Sequence, residues 1–259
     1  MGIPVYPYLK RKLPRSLQPY LLAHRAYYWW MGGKVQAGPF RGLRYANSSV
    51  GSSYYNKLIG TYECELHGVV EGFRDLAPAK VIDVGAAEGY YAMGLARMFP
   101  RAEVVTFEGD ELGRRLQRQM VRRNGLGDRV RREGFCGPDD LQREMENEGT
   151  ILLILDCEGG EKELLDPDRI PALRRAHALV ELHFFADPAM AERLTERMED
   201  SHLVERIRSR DRTLEDYPAG CRGARSAAGL RRYLMQEGRR EATEWLWLTP
   251  KPSSANAAA

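Results

Sequence analysis

Short apolar runs alternate with amphipathic stretches of helical periodicity from about residue 79 onward. The apolar runs predict buried strands at 80–84, 103–107, 151–155 and 178–182, with a weaker strand at 129–132. The helical periodicity predicts helices at 90–99, 110–124, 138–147 and 188–198, with a short helical stretch at 161–165. Further strands are predicted at 203–207 and 244–248. This alternation predicts an α/β protein with a doubly wound, Rossmann-like, mostly parallel sheet.

The first 62 residues differ from the rest of the chain in charge and aromatic content. They contain nine Lys or Arg residues, no acid, and 12 of the 24 aromatic residues, whereas the rest carries 30 basic and 36 acidic residues. A disordered tail would be poor in aromatics, so we expect residues 1–62 to form a helical extension of a domain at 63–252. Residues 253–259 are expected to be a flexible tail.

The role of residues 1–62, here called the N-terminal segment, stays open at this point. It could be a packing extension, a lid over a ligand, a substrate-recognition element or a dimer arm. A patch for membrane or nucleic acid is a weaker interpretation, because the basic residues do not follow one helical face.

The composition excludes several classes of protein. No window approaches the roughly 18–20 apolar residues that a membrane span needs. The first residues also lack the apolar run of a signal peptide. The cysteines are scattered without a CxxC pair, which is typical of free thiols and of neither a disulfide framework nor a zinc site. We therefore expect a cytoplasmic protein.

A glycine turn follows the first predicted strand, in the run Val81-Ile-Asp-Val-Gly-Ala-Ala-Glu-Gly-Tyr-Tyr91. Gly85 and Gly89 permit a ligand to approach the backbone closely, and the start of the next helix offers free N–H groups. Glu108 ends the second strand, where nucleotide-binding folds hold a ribose diol. Asp83, inside the first strand, is expected to order the turn through hydrogen bonds. The turn therefore predicts a nucleotide site.

A second set of polar residues ends the fourth and fifth strands, with Asp156 and Glu158 after one and Glu181 and His183 after the other. Residues two apart on a strand point to the same side, so these side chains are expected to converge on one crevice. His183, with an ordinary pKa of about 6.5, is the first candidate for a catalytic base, and Asp156 is the second. Alternatively, Asp156, Glu181 and His183 hold a hard cation such as Mg²⁺. In a third interpretation His183 is structural.

Other acids near these motifs have less definite roles. Tyr62 and Glu63, just upstream of the first strand, and Glu158 are candidate substrate contacts. A solvated helical face explains Glu63 equally well. Glu161 and Glu163 are expected to be charges at the start of a helix.

These runs resemble motifs of the class I S-adenosylmethionine-dependent methyltransferases. The glycine turn is similar to their motif I, and Phe107-Glu-Gly-Asp110 is similar to their motif II. The run Asp156-Cys-Glu-Gly-Gly-Glu161, followed by a Glu-x-His strand, resembles the FkbM-type family over about residues 60–200. That family is known for O-methylation of small molecules, often sugars and natural-product hydroxyls.

The resemblance implies S-adenosylmethionine (SAM) as cofactor and assigns residues to it. The residues implied to contact the cofactor are Asp83, Gly85, Ala86, Glu88, Gly89, Tyr90, Glu108, Gly109, Phe135, Cys136 and Asp156. Glu108 would bind the ribose hydroxyls, and Phe135 and Cys136 would lie near the adenine. The acid that usually contacts adenine in the family is absent here.

Other functions fit parts of the sequence less well. An NAD-dependent oxidoreductase would need G-x-G-x-x-G and a hydride-transfer set such as Tyr-x-x-x-Lys, and neither is present. A nucleic-acid methyltransferase fits the basic aromatic start, but the acidic remainder and the lack of an Asn-Pro-Pro-Tyr motif count against it. A non-catalytic scaffold would have no need of the intact turn and acids. We therefore expect a SAM-dependent methyltransferase acting on a small-molecule hydroxyl, with methylation of nitrogen, nucleic acid or peptide as alternatives.

Overall fold

The apolar runs of the sequence form a seven-stranded sheet in a computed structural model that describes residues 19–146, 149–183, 189–239 and 242–252. The strands are Lys80–Val84 (β1), Glu103–Phe107 (β2), Val130–Glu133 (β3), Ile151–Leu155 (β4), His177–Leu182 (β5), His202–Arg208 (β6) and Glu244–Pro250 (β7). Their order is β3-β2-β1-β4-β5-β7-β6. The first five strands are parallel, and β7 is antiparallel to both β5 and β6.

Helices cover both faces of this sheet, so the predicted doubly wound, mostly parallel α/β architecture is confirmed. The helices are Pro19–Trp30 (α1), Tyr54–Ile59 (α2), His67–Gly72 (α3), Tyr90–Met98 (α4), Glu111–Asn124 (α5), Pro138–Met145 (α6), Glu161–Leu164 (α7), Met190–Glu199 (α8) and Ala228–Met235 (α9).

The predicted boundaries lie within two residues of the observed ones, and those of β1, β2 and β4 agree without a shift. The weak third strand is shifted by one residue. Asp110 precedes α5 as its N-cap, and its Oδ1 accepts a hydrogen bond from the Gly113 N–H at 3.0 Å. Residues 147 and 188, which end one predicted helix and begin another, lie outside the described residues, as does the predicted tail at 253–259.

The described part of the N-terminal segment belongs to the hydrophobic core on one face of the sheet. Leu43, Tyr45 and Leu58 are fully buried in the same cluster as Val81 of β1 and Met93 of α4. Because these side chains share one core with the strands, this part of the segment is a wall of the domain. Within the described residues, the structure contains no helix that is long and apolar enough to span a membrane.

The chain order creates a crevice at one edge of the sheet. From β1 the chain proceeds to β2 and β3 on one side, and it returns to β4 and β5 on the other side. The carboxyl ends of β1 and β4 therefore lie where the strand order reverses, which is the usual ligand position in open α/β sheets.

Candidate active site

A cavity of about 1140 Å³ opens at the carboxyl ends of β1, β2, β4 and β5. Residues 50–53 of the N-terminal segment and residues 237–239, after α9, complete its wall. Its volume exceeds the roughly 300–1,000 Å³ of a site for one drug-sized ligand. The cavity therefore has room for a nucleotide-sized molecule together with a second, smaller one.

Both glycines of the turn lie close to other atoms of the protein, where a side chain would not fit. Gly85 lines the cavity with φ 81°, and a Cβ on it would lie 1.5 Å from the carbonyl oxygen of Asp156. Glycine is thus required here because the ends of β1 and β4 come so close together. Gly89, with φ 91°, does not line the cavity, and its Cβ would meet Met93 at 2.9 Å. Of these two glycines, Gly85 alone lies on the cavity surface.

Glu88, an expected cofactor contact, does not line the cavity either. Its carboxylate is fully buried and accepts bonds from Lys57 Nζ at 2.6 Å, Ser49 Oγ at 2.8 Å, the Val50 N–H at 2.9 Å and the Tyr45 hydroxyl. Burial raises the pKa of Glu88, but the Lys57 ammonium and these hydrogen bonds outweigh it, so the net pKa is lowered. Glu88 is thus an anion that is hydrogen-bonded to residues of the N-terminal segment.

Glu108 is half-buried at the end of β2 and lines the cavity. Its Oε2 accepts a hydrogen bond from the Ala87 N–H and its Oε1 one from the Asp110 N–H, both at 2.6 Å. Two backbone donors therefore fix the carboxylate, and each oxygen keeps a lone pair for a ligand hydroxyl.

Beyond Glu108, the predicted adenine wall also lines the cavity. Gly109, Phe135 and Cys136 form this part of the surface. Phe135 is 84% exposed at the rim, whereas Cys136 is buried. An exposed aromatic ring beside a nucleotide-sized cavity can stack on a planar base.

Asp83 and Tyr90 form the part of the wall below the turn. Asp83 is buried, and its Oδ2 accepts a hydrogen bond from the Ala92 N–H of α4 at 2.9 Å, which ties the strand to the helix as the sequence suggests. Burial raises the pKa of Asp83 to about 7. Tyr90 is buried with its ring 5.2 Å from that of Phe40.

The structure brings together the side chains at the ends of β4 and β5. Asp156, Glu158, Glu181 and His183 all line the cavity, and ligand atoms of Asp156, Glu181 and His183 lie within 4.8 Å of one another. His183 Nε2 is 3.6 Å from Asp156 Oδ1 and 3.7 Å from Glu158 Oε2. Burial, the Glu181 and Glu63 charges and a hydrogen bond with Glu181 raise the pKa of Asp156.

Glu161 is the first residue of α7, where the sequence predicts a charge at a helix start, and its side chain also has partners outside this helix. It is fully buried, and its carboxylate contacts His183 Nδ1 at 2.9 Å, the Cys157 N–H at 3.0 Å and the Gly159 N–H at 2.9 Å. The imidazole is thereby oriented with Nδ1 toward Glu161 and Nε2 toward the other acids. Burial lowers the pKa of His183, but the bond to Glu161 and the surrounding carboxylates outweigh it and raise the pKa.

Arg239 is a cavity residue that the sequence did not indicate. Its guanidinium contacts Glu63 Oε1 at 2.6 Å, Glu181 Oε1 at 2.9 Å and Glu237 Oε2 at 2.9 Å. Of the two candidate substrate contacts before β1, Tyr62 lines the cavity and Glu63 does not. No motif surrounds Arg239, and it lies 58 residues from Glu181 along the chain, so the local sequence gives no signal for this contact.

Comparisons with known proteins found similarity among solved structures, at the level of the fold. No protein-family model matches the chain, and no curated protein matches it. Among solved structures, it is similar to the O-methyltransferase TomG from Streptomyces achromogenes in complex with SAM, with 12% identity, a TM-score of 0.45 and coverage of 95% of this chain and 96% of that one.

Two further solved structures have comparable sequence identities and TM-scores. The SAH-bound methyltransferase PaMTH1 from Podospora anserina has 13% identity, a TM-score of 0.45 and coverage of 95% and 97%. The O-methyltransferase from Bacillus cereus in complex with SAH has 12% identity, a TM-score of 0.44 and coverage of 69% and 78%. Likenesses at this level leave the function to be argued from the site.

Proposed function

We propose that this protein is a SAM-dependent methyltransferase that methylates a hydroxyl group of a small molecule. The observation that carries the proposal is one continuous cavity with a fixed carboxylate, Glu108, at one end and the Asp156, Glu181 and His183 cluster at the other. A nucleoside diol fits the first end, and an acceptor hydroxyl with its proton fits the second.

The residues of the cavity fit the cofactor in chemistry as well as in size. Glu108 would accept hydrogen bonds from the ribose hydroxyls, and Phe135 and Cys136 would lie against the adenine. The Asp156 side chain keeps 32% of its surface exposed and offers a carboxyl group to a nearby cation. When bound, SAM supplies a methyl group on a positively charged sulfur.

His183 is the proposed general base. The carboxylate of Glu161 accepts a hydrogen bond from the Nδ1–H of His183. In this tautomer the neutral ring has its lone pair on Nε2, toward the cavity. Nε2 would take the proton of the acceptor hydroxyl as the oxygen attacks, and Glu161 would stabilise the imidazolium that forms. Alignment of the acceptor by the cavity walls supplies the rest of the rate enhancement.

A divalent cation at the same cluster is a second candidate for activating the acceptor. Ligand atoms of Asp156, Glu181 and His183 lie within 4.8 Å of one another, which is close enough for all three to contact one cation. Two carboxylates and an imidazole suit Mg²⁺ or Mn²⁺. Such an ion lowers the pKa of a bound hydroxyl and orients it.

The remaining parts of the proposal concern the acceptor and the setting of the enzyme. The FkbM-type resemblance favours sugar or natural-product hydroxyls, and Tyr62 and Glu158 are the proposed acceptor contacts. The proposal also includes a cytoplasmic location. It further includes a homodimer formed through the N-terminal segment, where Trp29 is 73% exposed.

Calorimetric titration with S-adenosylhomocysteine (SAH), with and without Mg²⁺, tests the proposal. We expect 1:1 binding by the wild type and an affinity lower by about tenfold or more in E108Q, because a bond to a charged acceptor is lost. E111Q, which changes an exposed acid in the first turn of α5, should bind as the wild type does. Absence of SAH binding under both conditions would overturn the proposed function.

A further inference from the structure

We infer that the buried Lys57–Glu88 ion pair makes residues 49–53, here called the covering segment, the wall that holds the amino-acid end of the cofactor. This inference rests on the proposed function, because it names a ligand group of the same cavity. It assigns to this part of the N-terminal segment a role in ligand binding.

The ion pair is a dry junction between the N-terminal segment and the glycine turn. The exposed fractions of the Lys57 and Glu88 side chains are 4% and 0%. Besides Lys57, Glu88 accepts bonds from Ser49 Oγ at 2.8 Å and from the Val50 N–H at 2.9 Å. Lys57 Nζ in turn donates to Ser52 Oγ at 2.7 Å. The covering segment is thus attached to the pair at three residues.

The covering segment faces the cavity, whereas Glu88 does not. Residues 50–53 and Lys57 line the cavity wall. Lys57 Nζ also lies 4.6 Å from the centre of the Tyr62 ring, another lining residue. Glu88 therefore acts on a ligand through the segment that it holds, which makes it a positioning residue.

The position of the covering segment indicates which part of the cofactor it would contact. The ribose and adenine contacts of the proposed function lie at the ends of β2 and β3, and the acceptor cluster lies at the ends of β4 and β5. The reacting methyl must lie between these two ends, so the amino-acid arm of the cofactor is left to the wall over the turn. The hydroxyls of Ser52 and Ser53 lie on this wall and donate to the carbonyl oxygens of Val50 at 3.3 Å and Gln236 at 3.0 Å. Rotation about their Cβ–Oγ bonds would turn these hydroxyls toward a ligand carboxylate. Because Lys57 neutralises Glu88, the buried acid does not repel that group.

The effect of the ion pair on the stability of the protein can be separated from its effect on the position of the covering segment, because both partners can be replaced together. Removal of one partner leaves a buried charge, whereas two apolar residues of similar volume are often tolerated. K57M/E88L should therefore fold, but it loses the hydrogen bonds that hold Ser49, Val50 and Ser52. The matched control is K80M/E144L, which removes a second buried pair at the opposite end of β1, with Lys80 Nζ 3.0 Å from Glu144 Oε2.

SAH affinity measured by calorimetry is the first readout. We expect K57M/E88L to bind SAH about tenfold or more weakly than the wild type, while K80M/E144L retains the wild-type affinity. Hydrogen exchange of the Val50 amide in the ligand-free protein is the second readout, and it should be faster in K57M/E88L alone. Wild-type SAH affinity in K57M/E88L would overturn the inference.

A milder variant covers the case in which K57M/E88L does not fold. S49A/S52A keeps the ion pair and removes two hydroxyls that attach the covering segment, so weaker SAH binding at an unchanged melting temperature is expected. Unchanged affinity in S49A/S52A would then overturn the inference. Failure of the wild type itself to bind SAH would overturn the proposed function and with it the ligand named here, whereas unchanged affinity in the variants overturns the inference alone.

Discussion

Asp83 and Glu88 are two buried acids, five residues apart, with opposite electrostatic surroundings. Asp83 has a backbone N–H as hydrogen-bond donor, and burial raises its pKa to about 7. Glu88 has the Lys57 ammonium at 2.6 Å, and its pKa is lowered. Burial alone favours the neutral acid, and a cation in contact reverses that preference. The first acid is therefore a source of pH-dependent stability, and the second is a permanent anion.

The stability contributed by Asp83 should decrease as the pH rises. Its pKa is about 7 in the folded protein, against about 3.9 when unfolded, so between these values the folded state binds more protons. The contribution is complete below about pH 4 and is lost as the pH rises through about 7. D83N, which cannot ionise, should gain on the order of 2–4 kcal/mol relative to the wild type between pH 4 and 8.

Urea unfolding of D83N and wild type across this pH range measures the effect. D168N changes an acid whose side chain is 91% exposed, and its unfolding free energy should follow the wild-type curve. A constant difference between D83N and the wild type would contradict the raised pKa.

His183 should affect methyl transfer without affecting cofactor affinity. If Nε2 is the base, H183A should lower kcat by about 10²–10⁴ while SAH binds as before. The measurement is transfer of labelled methyl from SAM to a panel of catechols and hexoses. H177Q changes a histidine that stacks on Trp247 and does not line the cavity, and it should leave kcat unchanged. Wild-type turnover by H183A would exclude the base assignment.

At the scale of elements, α4 is enclosed between the sheet and the N-terminal segment. Gly94 lies on α4 where a Cβ would be 2.4 Å from the Phe40 ring, so only glycine allows this approach. The Phe40 ring makes edge contacts with Tyr90 at 5.2 Å and Tyr91 at 5.6 Å. The N-terminal segment thus supports the helix that begins at the glycine turn.

F40A tests whether the N-terminal segment is part of the domain core. Phe40 is 4% exposed, and we expect its removal to cost about 3–5 kcal/mol of unfolding free energy, measured by urea denaturation. L112A, on the 53% exposed face of α5, should cost less than about 1 kcal/mol. A cost below about 1 kcal/mol for F40A would mean that the segment is a detachable arm.

At the scale of the whole molecule, one guanidinium joins distant parts of the chain. Arg239 contacts Glu63, which precedes the sheet, Glu181 at the end of β5 and Glu237 after α9. These acids are almost fully buried, and Tyr91 also donates to Glu63 Oε2 at 2.6 Å. The cation thereby links three segments of the chain at the end of the cavity formed by β4 and β5.

R239M should destabilise the whole fold because it leaves buried carboxylates without their cation. We expect a loss of about 3–5 kcal/mol, measured by urea unfolding at pH 7. R74M breaks an exposed pair with Glu71, in which the side chains are 54% and 48% exposed, and it should cost less than about 1 kcal/mol. Equal effects of the two variants would show that the Arg239 cluster is no stronger than a surface pair.

The local pattern of the sequence was sufficient for the seven strands, for the helices between β1 and β6 and for part of the site, but it did not indicate α3 or α9. Strand and helix periods depend on near neighbours, so the order of elements and the parallel sheet followed from the chain alone. The carboxyl ends of parallel strands meet at one edge, which is why the sequence alone predicts that Asp156, Glu181 and His183 lie together.

Only the tertiary structure decided which partners the charged residues have. Glu88 pairs with Lys57 across 31 residues, His183 with Glu161 across 22, and Arg239 with Glu181 across 58. The same applies to Gly85, whose lack of a side chain is required by the carbonyl of Asp156. Periodicity fixes the direction in which a side chain points on its own element, whereas a partner on another element depends on how the elements pack. Burial and charge pairing therefore separated the residues that line the cavity from those that hold its walls.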